Sequence, residues 1–330
     1  MFRNSNIVFT AIGIITAMVI AACVGKDDNN KSKDNMPSAS GNSDWVIPDT
    51  SELKNTEEAK LVKYGLSLIT NTAYYFGPKG TIAQNSTGLN CQNCHLNAGV
   101  KLFGNNFSMV ATGYPRYKER SGTVETITKK VEDCFERSLN GKKIDSNGIE
   151  MKAFVSYLQW IGENVKKGGT PEGAGIKELP FLDRAADTLK GKTIYVSRCQ
   201  SCHGSNGDGI VNANGTGYTY PPLWGPNSYN TGASIYRISK LAGFVKNNMP
   251  FGTSDKNSQL TNEEAWDVAA FINSQYRSIK KVDKDWPELR TKPYDYPFGP
   301  YADSLFTEEQ HKYGPYAPIK KYYELLKNRK

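Results

Sequence analysis

The chain has 330 residues, enough for two modest domains, and 38% of them are hydrophobic, as in ordinary soluble proteins. The negative mean hydropathy of −0.55 argues against several membrane spans. The formal net charge of +8 is compatible with an anionic substrate or an acidic partner. The charges are scattered and form no basic run of the kind that binds nucleic acid, so we expect no nucleic-acid partner.

The N-terminus has the pattern of an export signal. Arg3 supplies a positive charge, and residues 7–20 form an apolar run that is short for a membrane span, which needs about 20 residues. The run ends in Ile20-Ala21-Ala22-Cys23, which resembles a bacterial lipobox, a motif whose cysteine is lipidated after cleavage. A signal anchor with an incidental cysteine is the alternative. Residues 1–22 are therefore predicted to be a lipoprotein signal peptide.

The segment that follows, residues 23–44, is rich in Asn, Asp, Ser and Lys and lacks apolar periodicity. Such a stretch cannot bury a core and is typical of a flexible tether. The prediction is an exported protein on the periplasmic or cell-surface side of a membrane, held there by a lipid anchor at Cys23.

Two Cys-x-x-Cys-His motifs account for most of the cysteines and histidines. They comprise Cys91, Cys94 and His95, and Cys199, Cys202 and His203. In such a motif the two thiols can each add to a haem vinyl group, and the adjacent histidine reaches the iron. Zinc sites usually gather four ligands, and redox dithiols need no following histidine. The motifs predict two covalently bound haem c groups with His95 and His203 as iron ligands.

The second half of the chain has the pattern of a small cytochrome domain. Gly191, Tyr195 and Cys199 fall four apart, which is typical of a first helix with a small residue where another helix crosses. A closing helix is predicted to begin at Thr261, with Glu264 completing a capping box.

The first half contains similar parts. A helix capped by Asn55 and Glu58 is predicted over residues 59–69, and a closing helix over residues 151–161. After the haem motif we expect another helix from about Thr123 to Leu139.

These parts predict an all-α fold with two class I cytochrome c-like haem domains in tandem and an extended C-terminal segment. The predicted limits are 1–22 for the signal peptide, 23–44 for the tether, 45–170 for the catalytic domain with the first haem, 171–185 for a linker, 186–281 for the electron-transfer domain with the second haem, and 282–330 for the extension. The extension is rich in Tyr, Pro and Lys, and we expect it to pack over the body with a short helix at residues 320–327. His311 lies there and is predicted to be an ordinary surface or hydrogen-bonding histidine.

The distal iron ligands are predicted separately for each haem. Met249 lies in an Asn-Met-Pro loop 46 residues after His203, where class I cytochromes carry a distal methionine, although a core-filling role is the alternative. In the first half Met109 is one candidate. Cys134, 39 residues after His95, is the other, because its thiol has no partner cysteine.

Cys134 shares one face of the predicted helix 123–139 with Val124, Ile127 and Val131, so the thiol is expected to face the domain interior. It is then bound to metal, bound to substrate, or an inert buried cysteine, and spacing leaves these three roles open.

Several longer segments resemble the thiosulfate dehydrogenases, which are dihaem enzymes that form tetrathionate. The matching segments are Tyr114-Pro115-Arg116-Tyr117, Arg120 to Ile127, Cys134 to Gly141, Tyr220 to Pro226, and Asn248-Met249-Pro250. The resemblance covers about residues 53–276 and includes both haem motifs and the isolated cysteine. It does not include the lipobox or the aromatic C-terminal extension.

The resemblance implies that two thiosulfate ions are oxidised to tetrathionate, or the reverse, at a first haem ligated by His95 and Cys134. Arg120 and Ser138 are then expected to line the substrate site, with Arg116 close by. Lys130 and Arg137 are further local cations. Electrons are expected to leave through a second haem, ligated by His203 and Met249, to a soluble or membrane-associated acceptor such as a small cytochrome. Some members have lysine before the distal methionine, where this chain has Asn248.

Two other functions remain open. One is a non-enzymatic dihaem electron-transfer cytochrome, which would use Met109 at the first haem and leave Cys134 inert. The other is the dihaem subunit of a sulfur-oxidation complex that acts on a carrier protein.

Overall fold

The computed structural model describes residues 45–328 of the chain. The predicted signal peptide and tether, residues 1–22 and 23–44, lie outside the described residues. Within residues 45–328 no helix is both long and apolar enough to cross a membrane. The same residues are mainly helical, with two short antiparallel hairpins, and the predicted all-α class is confirmed.

The first core forms where α1 (Glu57–Thr70) packs against α6 (Ile149–Trp160). The N-cap of α1 is Thr56, whose hydroxyl accepts a hydrogen bond from the Ala59 N–H, so the predicted start at Asn55 was one residue early. Gly65 touches α6 so closely that a Cβ there would lie 2.1 Å from the Ala153 carbonyl oxygen. Only glycine allows the two backbones to approach this far.

Short elements between α1 and α6 surround the first haem motif. They are α2 (Thr72–Phe76), a 3-10 turn (Cys91–Asn93), α3 (Leu96–Gly99), α4 (Val110–Gly113), the strands β1 (Arg116–Lys118) and β2 (Thr123–Glu125), α5 (Ile127–Asp133) and a π-helical turn (Cys134–Ser138).

The helix predicted from Thr123 was wrong at its start. Residues 123–125 instead form β2, which pairs antiparallel with β1 and sets Arg116 opposite Glu125. The hairpin turn ends at Gly122, whose φ of +67° favours glycine. Val124 is 66% exposed and therefore does not join Ile127 on a buried helix face. β-branched residues next to a tight turn favour a strand, and the helical period begins only at Ile127.

The second core repeats this construction. α7 (Thr188–Arg198) packs against α10 (Asn262–Ser274), and a Cβ at Gly191 would lie 2.0 Å from the Asp267 carbonyl oxygen. The close helix crossing predicted at Gly191 is confirmed. The predicted capping box of Thr261 and Glu264 is also present at the start of α10.

The second haem motif lies between α7 and α10. The intervening elements are α8 (Gln200–His203), the strands β3 (Ile210–Val211) and β4 (Tyr218–Tyr220), a 3-10 turn (Ser234–Tyr236) and α9 (Ile238–Asn248). β3 and β4 form the second antiparallel hairpin.

The C-terminal extension ends in two helices, α11 (Glu308–Tyr313) and α12 (Tyr316–Asn328), so the predicted terminal helix starts earlier than expected. Tyr316, Ile319 and Tyr323 are buried and belong to the second core. The extension therefore completes that core in addition to covering it, because apolar residues of α12 recur at helical spacing.

His311 is fully buried within this extension, which rules out the surface role but agrees with the hydrogen-bonding one. Its Nδ1 lies 2.6 Å from the Tyr294 carbonyl oxygen, and its Nε2 lies 3.2 Å from an Asp303 carboxylate oxygen. The ring also stacks on Tyr301 with centroids 3.7 Å apart. Its surroundings are those of a structural histidine.

The predicted linker, residues 171–185, contacts both halves. The Phe103 N–H donates to the Gly173 carbonyl (2.7 Å), and Phe181 packs near Trp266 in the second core. The proposed domain limits themselves stay predictions.

Candidate functional site

The first haem motif is held at both ends, through Cys91 and through His95. Thr72 accepts a hydrogen bond from the Cys91 N–H (3.0 Å), and its hydroxyl also points at the Cys91 sulfur (3.2 Å). The Nδ1 atom of His95 lies 2.5 Å from the Asn105 carbonyl oxygen, and Phe107 stacks on the imidazole at 4.3 Å. Ring orientation and tautomer are thereby fixed, with Nε2 left for another partner.

The second motif has the same arrangement. The His203 Nδ1 lies 2.8 Å from the carbonyl oxygen of Pro221, and the Tyr195 hydroxyl donates to the Gly204 carbonyl (2.6 Å) just after the motif. Within the described residues neither motif histidine has a hydrogen-bond partner at Nε2. A metal-bound histidine typically donates its other ring N–H to such a carbonyl, so both motifs fit a c-type haem.

Burial keeps both histidines in the form that binds iron. It lowers the pKa of His95 to about 4, against the opposing effect of the hydrogen bond to Asn105, and it lowers the pKa of His203 as well. A neutral imidazole is the ligating form. Among the described cysteines, all four motif thiols are free of disulfides and can attach haem.

Met249 lies where α9 ends. Its N–H donates to the Val245 carbonyl, and its side chain is partly buried against the second core. The preceding Asn248 donates from its amide to the carbonyls of Phe103 (3.0 Å) and Phe244 (2.9 Å). Asn248 is therefore engaged with backbone from both halves of the chain.

The predicted ligation of the second haem by Met249 implies that Met249→Gly leaves this haem high-spin or differently ligated, because the substitution removes the thioether. Electron transfer through the second haem should slow, while the KM for the substrate changes little. Visible spectra, the potential of the second haem and single-turnover kinetics check this. An unchanged spectrum and potential would point to another distal ligand.

Cys134 is the first residue of the π-helical turn, and its carbonyl accepts a hydrogen bond from the Leu139 N–H (2.9 Å). Burial raises the pKa of both Cys91 and Cys94 to about 12, and the Cys134 thiol adds to both shifts. Cys134 therefore lies beside the first haem motif. π-helical turns are rare and occur frequently at functional sites.

Cations surround this cysteine. The pKa of Lys130 is raised, first by Cys134 and despite burial, which places its ammonium group near the sulfur. Arg116 and Lys118 project from β1, with their charged groups 5.3 and 5.5 Å from the centre of the Tyr114 ring. Lys118 is the member of this group that sequence reasoning missed. The β period was the available signal, because residues two apart share a strand face.

Arg120 lies near these cations but already has a partner. Its guanidinium bonds Asp133 at 2.6 Å, and Lys129 bonds the other oxygen of that carboxylate at 2.5 Å. Asp133 directly precedes Cys134, so this ion pair connects the predicted substrate-binding arginine to the residue before the cysteine.

The other predicted residues differ in their surroundings. Ser138 ends the π-helical turn, partly buried and without a hydrogen bond from its side chain to any described residue. Arg116 is exposed. Arg137 is held in a two-bond ion pair by Asp285, with both N–O distances 2.8 Å, and is therefore not free to bind substrate.

Comparison with known proteins agrees with two haem domains in tandem. Residues 81–166 match the family model described as SoxA/TsdA, cytochrome c domain, and residues 188–275 match the model described as cytochrome c.

Two curated relatives are both named thiosulfate dehydrogenase. The one from Psychrobacter arcticus is 38% identical over 76% of this chain and 73% of its own length. The one from Thiomonas intermedia is 30% identical over 89% and 91%, respectively.

A solved structure, thiosulfate dehydrogenase (TsdBA) from Marichromatium purpuratum in its "as isolated" form, matches with a TM-score of 0.63 at 29% identity. The match covers 69% of this chain and 48% of that chain, so this protein spans about half the length of the solved one. With two cytochrome c domains the protein carries two covalently bound c-type haems. The chain belongs to the thiosulfate dehydrogenase family of dihaem c-type cytochromes.

Proposed function

We propose that this protein is an enzyme that oxidises two thiosulfate ions to one tetrathionate ion, releasing two electrons. The observation that carries the proposal is the position of Cys134 beside the first haem motif and among Lys118, Lys130 and Arg116. Thiosulfate is a dianion, so two of them repel each other before their sulfurs can join. A group of cations next to a sulfur atom and a redox centre lowers that repulsion where the bond must form.

Different residues of the chain are assigned to attracting the anions and to orienting them. Lys118, Lys130 and Arg116 attract the two anions, and Arg120 orients an oxyanion through the guanidinium nitrogens that Asp133 leaves free. Ser138 offers a hydroxyl at the end of the same turn. Arg137, paired with Asp285, takes no part in binding.

Cys134 is proposed to hold the first haem together with His95. Its thiolate would also form a disulfide bond with the outer sulfur of one thiosulfate, with two electrons passing to the two haems. The second thiosulfate would then displace the Cys134 thiolate, giving tetrathionate and restoring the free thiolate. When bound, the haems supply iron centres that accept electrons one at a time. Met249 is proposed as the distal ligand at the second haem, from which the electrons pass to a small cytochrome. The same residues serve tetrathionate reduction in the reverse direction.

The decisive experiment is steady-state turnover of the purified holoprotein. Thiosulfate with ferricyanide should give tetrathionate, and tetrathionate with a reduced viologen tests the reverse reaction. Absence of turnover in both directions would favour a non-enzymatic electron carrier. In that alternative Met109 ligates the first haem. A carrier-bound sulfur substrate that reacts when free thiosulfate does not would favour a sulfur-oxidation subunit.

Lys118 predicts a pH dependence of substrate capture. Burial, with the charges of Arg116 and Lys130, lowers the pKa of Lys118 to about 8, against the opposing effect of Glu125. The other groups that face it are Arg120 and Tyr114. Below pH 8 the ammonium is charged and attracts the dianion, and above pH 8 that attraction is lost. We expect kcat/KM for thiosulfate to fall about tenfold between pH 7 and pH 9.

The Lys118→Met variant should lack this fall in kcat/KM. Its kcat/KM at pH 7 should already be as low as that of the wild-type enzyme at pH 9. Lys152→Met, at an exposed position of α6, provides the matched control and should keep the wild-type pH profile. A pH profile that is the same in wild type and Lys118→Met would remove Lys118 from the anion site.

We also propose, from the lipobox pattern alone, that the protein is exported and anchored to a membrane through Cys23. A correctly exported Cys23→Ala protein should appear in the soluble fraction. If it still sediments with membranes, the anchor lies elsewhere.

A further inference from the structure

The C-terminal extension reaches the first haem site through two consecutive residues. The Asp285 carboxylate accepts hydrogen bonds from both terminal guanidinium nitrogens of Arg137, each 2.8 Å long. The backbone N–H of Trp286 donates a hydrogen bond to the Arg120 carbonyl oxygen at 2.7 Å. Arg137 lies within the π-helical turn that begins at Cys134. One short stretch of the extension thus contacts the two separate segments that carry the proposed ligand and the proposed substrate-binding arginine.

The contact at Arg137 is strong for an ion pair. The two side chains are only 13% and 10% exposed, and the two parallel hydrogen bonds fix the guanidinium plane. In a poorly solvated site the pair is weakly screened by salt, so it restrains the π-helical turn more than a surface pair would. Lys280, just before the extension, adds an ion pair to Glu136 of the same turn at 3.3 Å.

The contact at Arg120 is rigid for a different reason. Trp286 has a φ of +62°, a conformation that a large side chain adopts only when its surroundings require it. The next residue, Pro287, packs on the hairpin turn, where a Cβ at Gly122 would lie 2.6 Å from the proline Cγ. The extension therefore fits the turn that follows Arg120 closely and leaves it little room to move.

We propose that Asp285 is a positioning residue for the first haem site. Through Arg137 it sets the orientation of the π-helical turn, and the neighbouring Trp286 sets the Arg120 segment, so that Cys134 and Arg120 keep a fixed separation. This inference rests on the proposed function, because it concerns the residues assigned there to ligation and substrate binding. Asp285 itself touches neither substrate nor haem.

The test compares Asp285→Asn with Asp283→Asn in the holoenzyme. Asp283 lies in the same extension, is exposed and forms no ion pair or hydrogen bond with any described residue, so its variant makes the same charge change without the contact. Asp285→Asn should lower kcat for thiosulfate about 10- to 100-fold, as expected when reacting groups are displaced by about 1 Å. Asp283→Asn should stay within about twofold, as expected for a surface substitution. Asp285→Glu should recover part of the loss.

A spectroscopic readout separates positioning from general destabilisation. In Asp285→Asn the electron paramagnetic resonance signal of the first ferric haem should broaden or split, while the signal of the second haem stays as in wild type. Amide hydrogen exchange should accelerate at residues 120–122 and 134–138. Unchanged signals and exchange rates would overturn the proposal.

The double variant Arg137→Gln/Asp285→Asn removes both charges and leaves no unpaired buried charge. It should unfold near the wild-type temperature yet keep the kinetic defect of Asp285→Asn. If instead it regains turnover together with stability, the defect came from an unpaired Arg137, and the proposal is wrong. If Cys134→Ala is inactive while Asp285→Asn behaves like Asp283→Asn, positioning fails and the proposed function stands. If Cys134→Ala is fully active, the proposed function fails.

Discussion

Cys134→Ala is expected to lower thiosulfate turnover by about 10³-fold or more while both haems stay attached. The substitution removes the proposed distal ligand and the sulfur proposed to hold a substrate fragment, yet it leaves both Cys-x-x-Cys-His motifs intact. A thiolate ligand also stabilises ferric iron, so its loss should raise the potential of the first haem. Steady-state turnover, a pyridine haemochrome count near two haems per chain and a spectrum of the first haem check these effects.

Met109→Leu is the control, because Met109 is the alternative ligand in the same half. It should leave turnover and spectra unchanged if Cys134 ligates the first haem. The opposite pattern, with wild-type turnover and an unaltered first-haem spectrum in Cys134→Ala but a changed spectrum in Met109→Leu, would make the electron-carrier function the better one.

Arg120→Ala should cost about 2–4 kcal/mol of transition-state stabilisation, roughly 30- to 1,000-fold in kcat/KM, as for one charge-assisted contact to an oxyanion. The structure adds a second contribution, because the substitution also removes the ion pair between Arg120 and Asp133, whose N–O distance is 2.6 Å. Kinetics of thiosulfate oxidation with ferricyanide measure the total.

Lys129→Ala separates the two contributions, since Lys129 bonds the same Asp133 carboxylate at 2.5 Å but is not proposed to bind substrate. That pair is partly exposed and at helical i,i+4 spacing, so its loss should change kcat/KM by only about twofold. An equally large loss in Lys129→Ala and Arg120→Ala would mean that Asp133, and not substrate binding by Arg120, determines the effect.

Asp133 also keeps its charge over a wide pH range. Burial alone would raise its pKa, but the hydrogen bond from Lys129 and the charge of Arg120 outweigh burial and hold that pKa below its usual range. The carboxylate next to Cys134 therefore stays ionised at neutral pH and keeps Arg120 paired.

The sequence by itself determined the parts of this protein that depend on local chemistry. Two Cys-x-x-Cys-His motifs specify two haems because the reacting thiols and the ligand are adjacent in the chain. The capping box at Thr261 and the glycine crossing at Gly191 were predicted correctly for the same reason, since both depend on a few residues and one helical period. The equivalent crossing at Gly65 has the same helical spacing but was not predicted.

Tertiary structure decided the features that depend on distant partners. Residues 123–125 became a strand because they pair with β1, which a helical spacing of apolar residues does not reveal. Arg137 was predicted to be one of the cations near the substrate, but its charge is neutralised by Asp285, which lies 148 residues further along the chain. His311 became buried because the extension folds around it. Charge pairs and burial are set by which surfaces meet, and local sequence cannot encode that by spacing alone.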